Sequence, residues 1–220
     1  MTEAGATKTP RERYRAQVRT EVKEHAWEQI ATAGASALSL NAIAKRMGMS
    51  GPALYRYFAG RDELITELVT DAYRSLAGTF RAASGAGADV AALGHALRGW
   101  ALEDPQRYLL IYGTPVPGYH APDDVTAISS EIMATLLDAC AALPRDSEDS
   151  AATPLDAHLE DHRDWADGHP ARPAALRRAL AFWTRLHGVL SLELSGHFTG
   201  MGIDPAQLFA AELDALSRPD

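Results

Sequence analysis

The chain has 220 residues, of which 46% are hydrophobic and 23% charged, and its formal net charge at pH 7 is −8. These values are ordinary for a globular protein, and the length suffices for one or two domains with a sizeable core. No apolar run reaches the roughly 18 residues that a membrane helix needs, and no secretion signal opens the chain, so we predict a cytoplasmic protein without a membrane partner. The single cysteine, Cys140, excludes an internal disulfide and is interpreted as a small core residue.

The charge is distributed unevenly along the chain. Residues 8–60 carry nine Lys or Arg and four Glu, a net charge of +5, whereas residues 61–220 carry twelve Lys or Arg and twenty-four Asp or Glu, a net charge of −12. Glu3 accounts for the remaining charge. A basic N-terminal quarter on an acidic body is typical of a DNA-binding head attached to a domain that does not touch DNA.

Helical periodicity runs through the chain and no stretch alternates as a strand would, so we predict an all-α protein. Residues 1–10 are predicted to be a disordered arm, residues 11–60 a helix-turn-helix DNA-binding domain, and residues 61–220 a helical ligand-sensing and dimerisation domain. The predicted helices cover residues 11–33, 40–47, about 52–58, 61–83, 89–102, 105–112, 123–143, 155–165, 173–197 and 205–216.

The residues between 40 and 58 predict two short helices joined by a tight turn. Residues 40–47 place apolar side chains at i, i+3, i+4 and i+7, which defines one face of a helix. Gly48 can take the left-handed conformation that ends a helix, and Pro52 fits the first turn of the next one. Leu54 and Phe58 lie four residues apart and give the second helix its buried face. This helix-turn-helix arrangement fits the DNA major groove.

The exposed side chains of this unit suit DNA, because basic groups neutralise phosphates and a phenol can bond a phosphate or touch a thymine methyl. The candidate DNA contacts are Lys45, Arg46, Ser50, Gly51, Pro52, Ala53, Tyr55, Arg56, Tyr57 and Arg61. An arginine run at positions 11, 13, 15 and 19 is predicted to lie near the DNA backbone as well. A helical hairpin with a solvated charged face is the simpler alternative.

Residues 50–53 carry no side chain that can bind a base edge with two hydrogen bonds. We therefore predict that sequence preference comes from Arg56, from Tyr55 and from DNA shape.

The run LNAIAKRMGMSGPALYRYFAGRDELI resembles the DNA-binding region of the tetracycline-repressor (TetR) family. The family pattern joins an apolar-x-x-I-A stretch, a G-V-S-like turn, L-Y-x-[HY]-F, a basic residue and [DE]-x-L. The matching residues are Ile43-Ala44, Gly48-Met49-Ser50, Leu54-Tyr55, Tyr57-Phe58, Arg61 and Glu63-Leu64. The chain departs from the pattern at Gly51 and Pro52, where many relatives carry Lys, Arg or Thr.

The body resembles one TetR branch, whose ligand-sensing domain is named for a Trp-His-Gly motif. The motif is present as Trp183, His187 and Gly188, and residues 104–119 also fit that branch. The resemblance covers nearly all of residues 14–217. It implies a homodimeric repressor that binds a palindromic double-stranded operator and is released by a small-molecule effector.

Aromatic residues are concentrated in the body, as an apolar ligand pocket with a few polar groups requires. The pocket candidates are Trp100, Tyr108, Tyr112, Tyr119, Phe182, Trp183 and His187, and ordinary core packing is the alternative for each. The helix at 173–197 is apolar over most of its circumference, more than one core needs, so it and the helix at 205–217 are the predicted dimer interface. The interface candidates are Leu190, Leu194, Phe209 and Leu213.

Two histidines, His158 and His162, lie four residues apart as a metal pair would, but the stretch lacks a His-Glu-x-x-His pattern, so we assign them to solvated surface and predict no metal and no cofactor. No phosphate-binding loop and no serine-nucleophile elbow occurs, so we predict that the protein is not an enzyme. A DNA-binding regulator controlled by a protein partner or by abundance, and a helical enzyme with a DNA-binding head, remain the alternatives to a ligand-released repressor.

Overall fold

The computed structural model describes residues 9–113, 116–119, 122–143 and 153–217, except for the side chains of Asp123 and Asp124. The regular secondary structure of these residues is helical, and no strand occurs among them. The ten α-helices of this part of the chain are α1 (Pro10–Ala33), α2 (Leu40–Arg46), α3 (Gly51–Leu54), α4 (Arg61–Gly85), α5 (Val90–Glu103), α6 (Pro105–Tyr112), α7 (Asp123–Ala142), α8 (Pro154–Asp161), α9 (Pro173–Leu194) and α10 (Pro205–Ser217). The all-α prediction is confirmed.

The predicted disordered arm lies outside the described residues except for its last two, of which Thr9 caps α1 and Pro10 begins it. Thr9 is the N-cap: its hydroxyl accepts a hydrogen bond from the Glu12 amide, and the Glu12 carboxylate accepts one from the Thr9 amide. This reciprocal pair satisfies two of the amides that a helix start leaves unpaired. Gly34 ends α1 with a φ of 78°, a conformation that side chains with a Cβ rarely adopt. The predicted loop at residues 144–152 lies outside the described residues.

Two compact units make up the chain. The first, called the head, holds residues 1–69 together with 115–120, and the second, called the body, holds residues 70–114 and 121–220. The long helix α4 supplies residues to both units, since it runs from Arg61 to Gly85. Residue 60, predicted as the end of the DNA-binding domain, is the residue before α4 starts.

The head is built around one apolar core. The buried face of α1 carries Val18, Val22, Ala26 and Ile30, which repeat every four residues. Ile43 of α2 and Leu54 of α3 are fully buried, as is Phe58 in the turn that follows. Burial of such side chains stabilises by about 1.5–3 kcal/mol each, so the core holds the short α2 and α3 that would not be stable alone.

The core of the body lies between α9 and the helices that pack on it, which include α5, α6, α7, α8 and α10. Gly94 of α5 lets α10 approach closely, because a Cβ at this position would lie 2.5 Å from Cδ1 of Leu213. Cys140 of α7 is buried, as predicted, and its burial raises the pKa of the thiol to about 12, so it is an inert core residue.

One helix of the described part of the chain, α7, is long and apolar enough over Val125–Ala142 to cross a membrane by length and composition. Core helices of soluble proteins meet the same test, and α7 packs against α9 in the body.

Candidate functional site

The helix-turn-helix of the head is present, with a shorter second helix than the sequence predicted. Ser39 caps α2 by accepting a hydrogen bond from the Ala42 amide, and Gly48 turns the chain with a φ of 65°. The helix α3 ends at Leu54, although the Phe58 amide still bonds four residues back, to the Leu54 carbonyl oxygen at 3.3 Å. Beyond it the amides of Arg56 and Tyr57 bond three residues back, to Ala53 and Leu54, as in a tighter 3₁₀ turn.

The predicted DNA contacts in the turn after α3 differ in their exposure to solvent. Tyr55 is exposed, with 47% of its surface accessible, and Arg56 beside it is exposed as well. Tyr57 is half-buried, and Ser50 precedes α3 without a side-chain hydrogen bond to the helix start. The residues predicted to read bases, Tyr55 and Arg56, therefore lie on the surface of the head.

Two neighbouring cations at the end of α2 differ in their surroundings. Lys45 is exposed and forms no ion pair within the described residues. Nη1 of Arg46 lies 2.8 Å from Oε2 of Glu28, an exposed ion pair that contributes little stability and competes with a phosphate for the same cation. Lys45 is thus the freer phosphate-binding group.

Arg61, a predicted DNA contact, has a structural role that the sequence did not suggest. Its Nη2 donates to the carbonyl oxygens of Ala35, at 3.0 Å, and Ser36, at 3.3 Å, which tie the start of α4 to the turn after α1. The guanidinium fastens two elements of the head together, so Arg61 positions the helix-turn-helix rather than offering a free cation.

Arg19, one of the arginines predicted to lie near DNA, is likewise used inside the head. It pairs with Glu63 and Glu67 of α4, donates to the carbonyl oxygen of Tyr57, and lies 4.2 Å from the ring centroid of Phe58. The hydrogen bonds and charges of the two glutamates outweigh the partial burial of the guanidinium, so the pKa of Arg19 is raised. Arg19 therefore joins α1, the helix-turn-helix and α4.

Arg11 and Arg15 of α1 line an open basic cavity of about 310 Å³, which we call the arginine notch. The notch is lined by Arg11, Tyr14, Arg15, Arg56 and Tyr57. Nη2 of Arg15 donates to the carbonyl oxygen of Arg56 at 3.2 Å, and its guanidinium lies 5.9 Å from the ring centroid of Tyr57. Three cations and two phenols in one recess have the chemistry that a phosphate contact requires.

A second constellation lies in the body, where five ring side chains from α4, α6 and α9 are in contact. We call it the aromatic cluster, and it consists of Tyr73, Tyr108, Tyr112, Trp183 and His187. The Tyr112 ring is its centre: its centroid lies 4.3 Å from that of His187, 5.6 Å from Trp183 and 6.0 Å from Tyr73. Tyr112 therefore contacts both α4 and α9 directly.

The polar atoms of the aromatic cluster fall into two groups. The Tyr108 hydroxyl lies 2.9 Å from Nδ1 of His187, 2.9 Å from Oγ of Ser191 and 3.2 Å from the His187 carbonyl oxygen, so it is fully used. The Tyr112 hydroxyl and Nε2 of His187 are buried and have no hydrogen-bond partner among the described residues. Burial lowers the pKa of His187 to about 4 and raises the pKa of Tyr112, so both side chains are neutral at pH 7.

Comparison with known proteins follows the same division of the chain. Residues 24–68 match the family model of bacterial regulatory proteins of the tetR family, and residues 90–216 match that of the tetracyclin repressor-like C-terminal domain. Over 211 residues, 90% of either chain, the sequence is 37% identical to HTH-type transcriptional regulators of Mycobacterium tuberculosis (Rv1816) and Mycobacterium bovis (Mb1846). The chain belongs to the TetR family.

Solved structures share the fold of this TetR-family protein. The crystal structure of SCO4313 is 70% identical in sequence, with a TM-score of 0.87, and the match covers 94% of this chain and 98% of that one. A protein of unknown function from Rhodococcus sp. RHA1 has the same fold with a TM-score of 0.64 at 20% identity, over 99% of this chain and 98% of that one. The protein is a TetR-family helix-turn-helix transcriptional regulator, and the family binds DNA and dimerises. Its place in the Trp-His-Gly branch stays a prediction.

In this TetR chain, three of the four predicted interface residues are inside the body of a single copy. Leu190, Phe209 and Leu213 have at most 2% of their surface exposed, so the structure corrects their assignment: they are core residues, unavailable to a second copy. Leu194 is half-buried. The side chains of α9 and α10 that do face solvent include Leu192, with 45% of its surface exposed, and the small residues Gly188, Ala211 and Ala215.

The remaining pocket candidates of this TetR chain are not among the five rings of the aromatic cluster. Phe182 is fully buried, and Trp100 is buried with its indole N–H donating to Ser75 at 3.1 Å, so both are core residues. Tyr119 belongs to the head rather than the body. Tyr73 was not a sequence-based candidate; it lies on the apolar stripe of α4, where periodicity indicates burial but does not identify a partner.

Within the described residues of the TetR chain, no group of three His, Cys, Asp or Glu side chains is placed to hold a metal ion. The exposed rings of His158 and His162 stack with centroids 4.2 Å apart, and Nδ1 of His162 lies 2.9 Å from the His158 carbonyl oxygen.

Proposed function

We propose that the protein is a homodimeric repressor that binds a palindromic operator and releases it when a small molecule binds at the aromatic cluster. The observation that carries the proposal is the pair of buried polar atoms, on Tyr112 and His187, that lack partners among the described residues. A buried polar group without a partner costs about 1–3 kcal/mol, so a ligand that supplied the missing hydrogen bonds would gain affinity. Apolar walls with a few convergent polar groups are the usual composition of a ligand site.

The route from ligand to DNA runs through α4. Tyr73 of α4 contacts Tyr112 edge-on, and the same helix starts at Arg61, whose guanidinium fastens it to the turn after α1. Further ties within the head come from Glu63 and Glu67, which pair with Arg19. A ligand that prefers one setting of α4 would shift the population of the protein towards that setting, which requires different affinities for the two states.

DNA binding is assigned to the exposed cations of the head. Lys45 and, in the arginine notch, Arg11 and Arg15 would contact phosphates, whereas Tyr55 and Arg56 would contact bases. One helix-turn-helix reads only a few base pairs, so two heads related by a two-fold axis read two half-sites, and the operator is expected to be palindromic. Residues 61–220 carry a net charge of −12, which phosphates repel.

The proposed dimer interface is the solvent-facing side of α9 and α10. Leu192, Ala211 and Ala215 lie on that side, and residues as small as Gly188 allow helices of two copies to approach closely. This surface replaces the buried residues that the sequence had indicated.

The test begins with selection of the operator from random DNA, followed by measurement of its affinity for the protein in the presence of a metabolite panel. We expect a palindromic site, and we expect at least one metabolite both to raise the unfolding midpoint and to weaken operator binding. A metabolite that stabilises the protein and leaves operator affinity unchanged would contradict ligand-controlled release and favour control by a protein partner. A second experiment compares Arg56→Ala with Arg46→Ala across all single-base variants of the operator, and only the former should change base preference.

A further inference from the structure

Two arginines of α1 hold the backbone of the turn that follows α3. Nη2 of Arg15 donates to the carbonyl oxygen of Arg56 at 3.2 Å, and Nη1 of Arg19 donates to the carbonyl oxygen of Tyr57. Among the described residues no backbone amide donates to either oxygen. Carbonyl groups that the end of a helix leaves unpaired need such partners. Arginines one turn apart on α1 therefore satisfy two successive carbonyls of this turn.

Arg19 fixes the turn at more than one point. Its guanidinium also lies 4.2 Å from the ring centroid of Phe58 and forms ion pairs with Glu63 and Glu67 of α4. The carboxylate of Glu63 in turn accepts a hydrogen bond from the amide of Ala59. The side chain of Arg19 is only 22% exposed, so its bonds are largely sheltered from water. Arg19 and Glu63 together tie the end of the turn to α1 and α4.

The conformation of this turn decides where Tyr55 and Arg56 point. A 3₁₀ turn advances by about 120° per residue and an α-helix by about 100°, so relaxation of the turn into the helix would rotate both side chains. Recognition of a base requires donors and acceptors placed to within about 0.5 Å. Support of the turn from α1 is therefore a condition for reading bases.

We propose that Arg19 is a positioning residue for base recognition. It sets the sequence preference of the protein by holding the turn that presents Tyr55 and Arg56, and it makes no contact with DNA itself. Two glutamates of α4 and one carbonyl oxygen occupy its guanidinium, so a phosphate would have to displace bonds that are already made. This inference rests on the proposed function, since the base contacts of Tyr55 and Arg56 belong to it.

The experiment measures the affinity of full-length variants for the selected operator and for all its single-base variants. Arg19→Gln removes the charge and the hydrogen bonds together. Arg19→Lys keeps the charge beside the glutamates, which preserves the fold of the head, but a single ammonium cannot reproduce the planar fork that spans the turn and α4. The control is Lys23→Gln, one turn further along α1, where Nζ lies 3.8 Å from Oε2 of Glu67. It removes an equal charge and an ion pair to the same glutamate.

We expect both Arg19 variants to reduce discrimination between the operator and its single-base variants by about ten-fold at the positions that Tyr55 and Arg56 read. The salt dependence of binding to non-operator DNA should equal that of the native protein, because each lost phosphate contact would lower the slope by about 0.9 and none is lost here. Lys23→Gln should keep the full base preference.

Three results would overturn the inference. The first is an unchanged base preference in Arg19→Lys, and the second is a lower salt slope, which would make Arg19 a phosphate contact. The third is an equal loss of preference in Lys23→Gln, which would assign the effect to charge alone. Circular dichroism verifies that each variant is folded, and Arg19→Lys decides the matter where Arg19→Gln unfolds.

Arg56→Ala, measured on the same DNA set, separates this inference from the proposed base contacts. If Arg56→Ala changes the preference and Arg19→Lys does not, the contact of Arg56 stands and the inference is wrong. If Arg19→Lys changes the preference and Arg56→Ala does not, the inference holds through Tyr55 and the assignment of Arg56 is wrong. If neither variant changes it, both are wrong.

Discussion

Tyr108 and Tyr112 lie one turn apart on α6, and removing their hydroxyl groups should change stability in opposite directions. The Tyr108 hydroxyl is bonded to His187 and Ser191, whereas the Tyr112 hydroxyl is buried without a partner among the described residues. Tyr112→Phe should therefore raise the free energy of unfolding of the ligand-free protein. The Tyr112 hydroxyl gives up its hydrogen bonds to water on folding and gains none in return, and phenylalanine avoids this cost. Tyr108→Phe should lower it, because Nδ1 of His187 or Oγ of Ser191 loses its partner.

The magnitudes follow from the cost of leaving a buried polar group unpaired, about 1–3 kcal/mol. We expect Tyr112→Phe to gain about 1 kcal/mol, the lower end, since the lost oxygen also removes some dispersion contacts. We expect Tyr108→Phe to lower the free energy of unfolding by roughly 2 kcal/mol, because it removes hydrogen bonds and also leaves Nδ1 of His187 or Oγ of Ser191 without a partner. For a chain of this length, 1 kcal/mol corresponds to a shift of about 2–4 °C in the unfolding midpoint.

Urea unfolding followed by circular dichroism, at one protein concentration for all variants, measures these differences. The concentration must be fixed because the stability of a dimer depends on it. Tyr14→Phe is the control and should agree with the native protein within about 0.5 kcal/mol, as exposed substitutions do. A loss of stability in Tyr112→Phe comparable with that in Tyr108→Phe would show that the Tyr112 hydroxyl is hydrogen-bonded, and it would remove the basis for placing a ligand there.

Three further predictions concern the head, the body and the dimer. Lys45→Ala should weaken binding to all DNA sequences alike and reduce the salt slope by about one phosphate, measured by anisotropy at several salt concentrations; a changed base preference would contradict this. Arg98→Ala should destabilise the protein by about 2 kcal/mol in the same unfolding assay, since Arg98 and Glu193 form an ion pair whose side chains are only 14% and 17% exposed. The control Arg81→Ala, which breaks the exposed ion pair with Glu131, should cost under about 1 kcal/mol. Leu192→Glu should give a monomer in sedimentation at micromolar concentration while the equally exposed Leu102→Glu stays dimeric; identical masses for the two variants would place the interface elsewhere.

The sequence was sufficient for the helices, since most predicted ends agree with the structure to within three residues. Apolar periodicity and chain-breaking residues such as Gly34 and Gly48 determine where a helix begins and ends, and both are local signals. Two helices end four residues before their predicted ends: α8 ends at Asp161 rather than at 165, and the second helix of the helix-turn-helix ends at Leu54 rather than at about 58. Leu54 and Phe58 have helical spacing and are both buried, but a 3₁₀ turn also brings the second of them into the core, and spacing does not distinguish the two.

The candidate sites were predictable only in part, because a pattern shows which side chains are apolar or charged but not what covers them. Leu190 belongs to an apolar face, and the face is covered by the rest of the same chain. Arg19 and Arg61 are basic residues beside a DNA-binding motif, but they bond to glutamates and carbonyls far away in sequence. The contact between Tyr73 and Tyr112 joins residues of two helices, so it depends on packing that periodicity does not describe.

The absence of a side chain at Gly94 links the interior of the body to its outer surface. A methyl carbon there would lie 2.5 Å from Cδ1 of Leu213, whose side chain is buried, so either that side chain must take another rotamer or α10 must shift outward. Ala211 and Ala215 lie on α10 and would move with that helix. If two copies pair through the proposed surface of α9 and α10, an outward shift of α10 would occur once in each copy and would change the fit between them at two places.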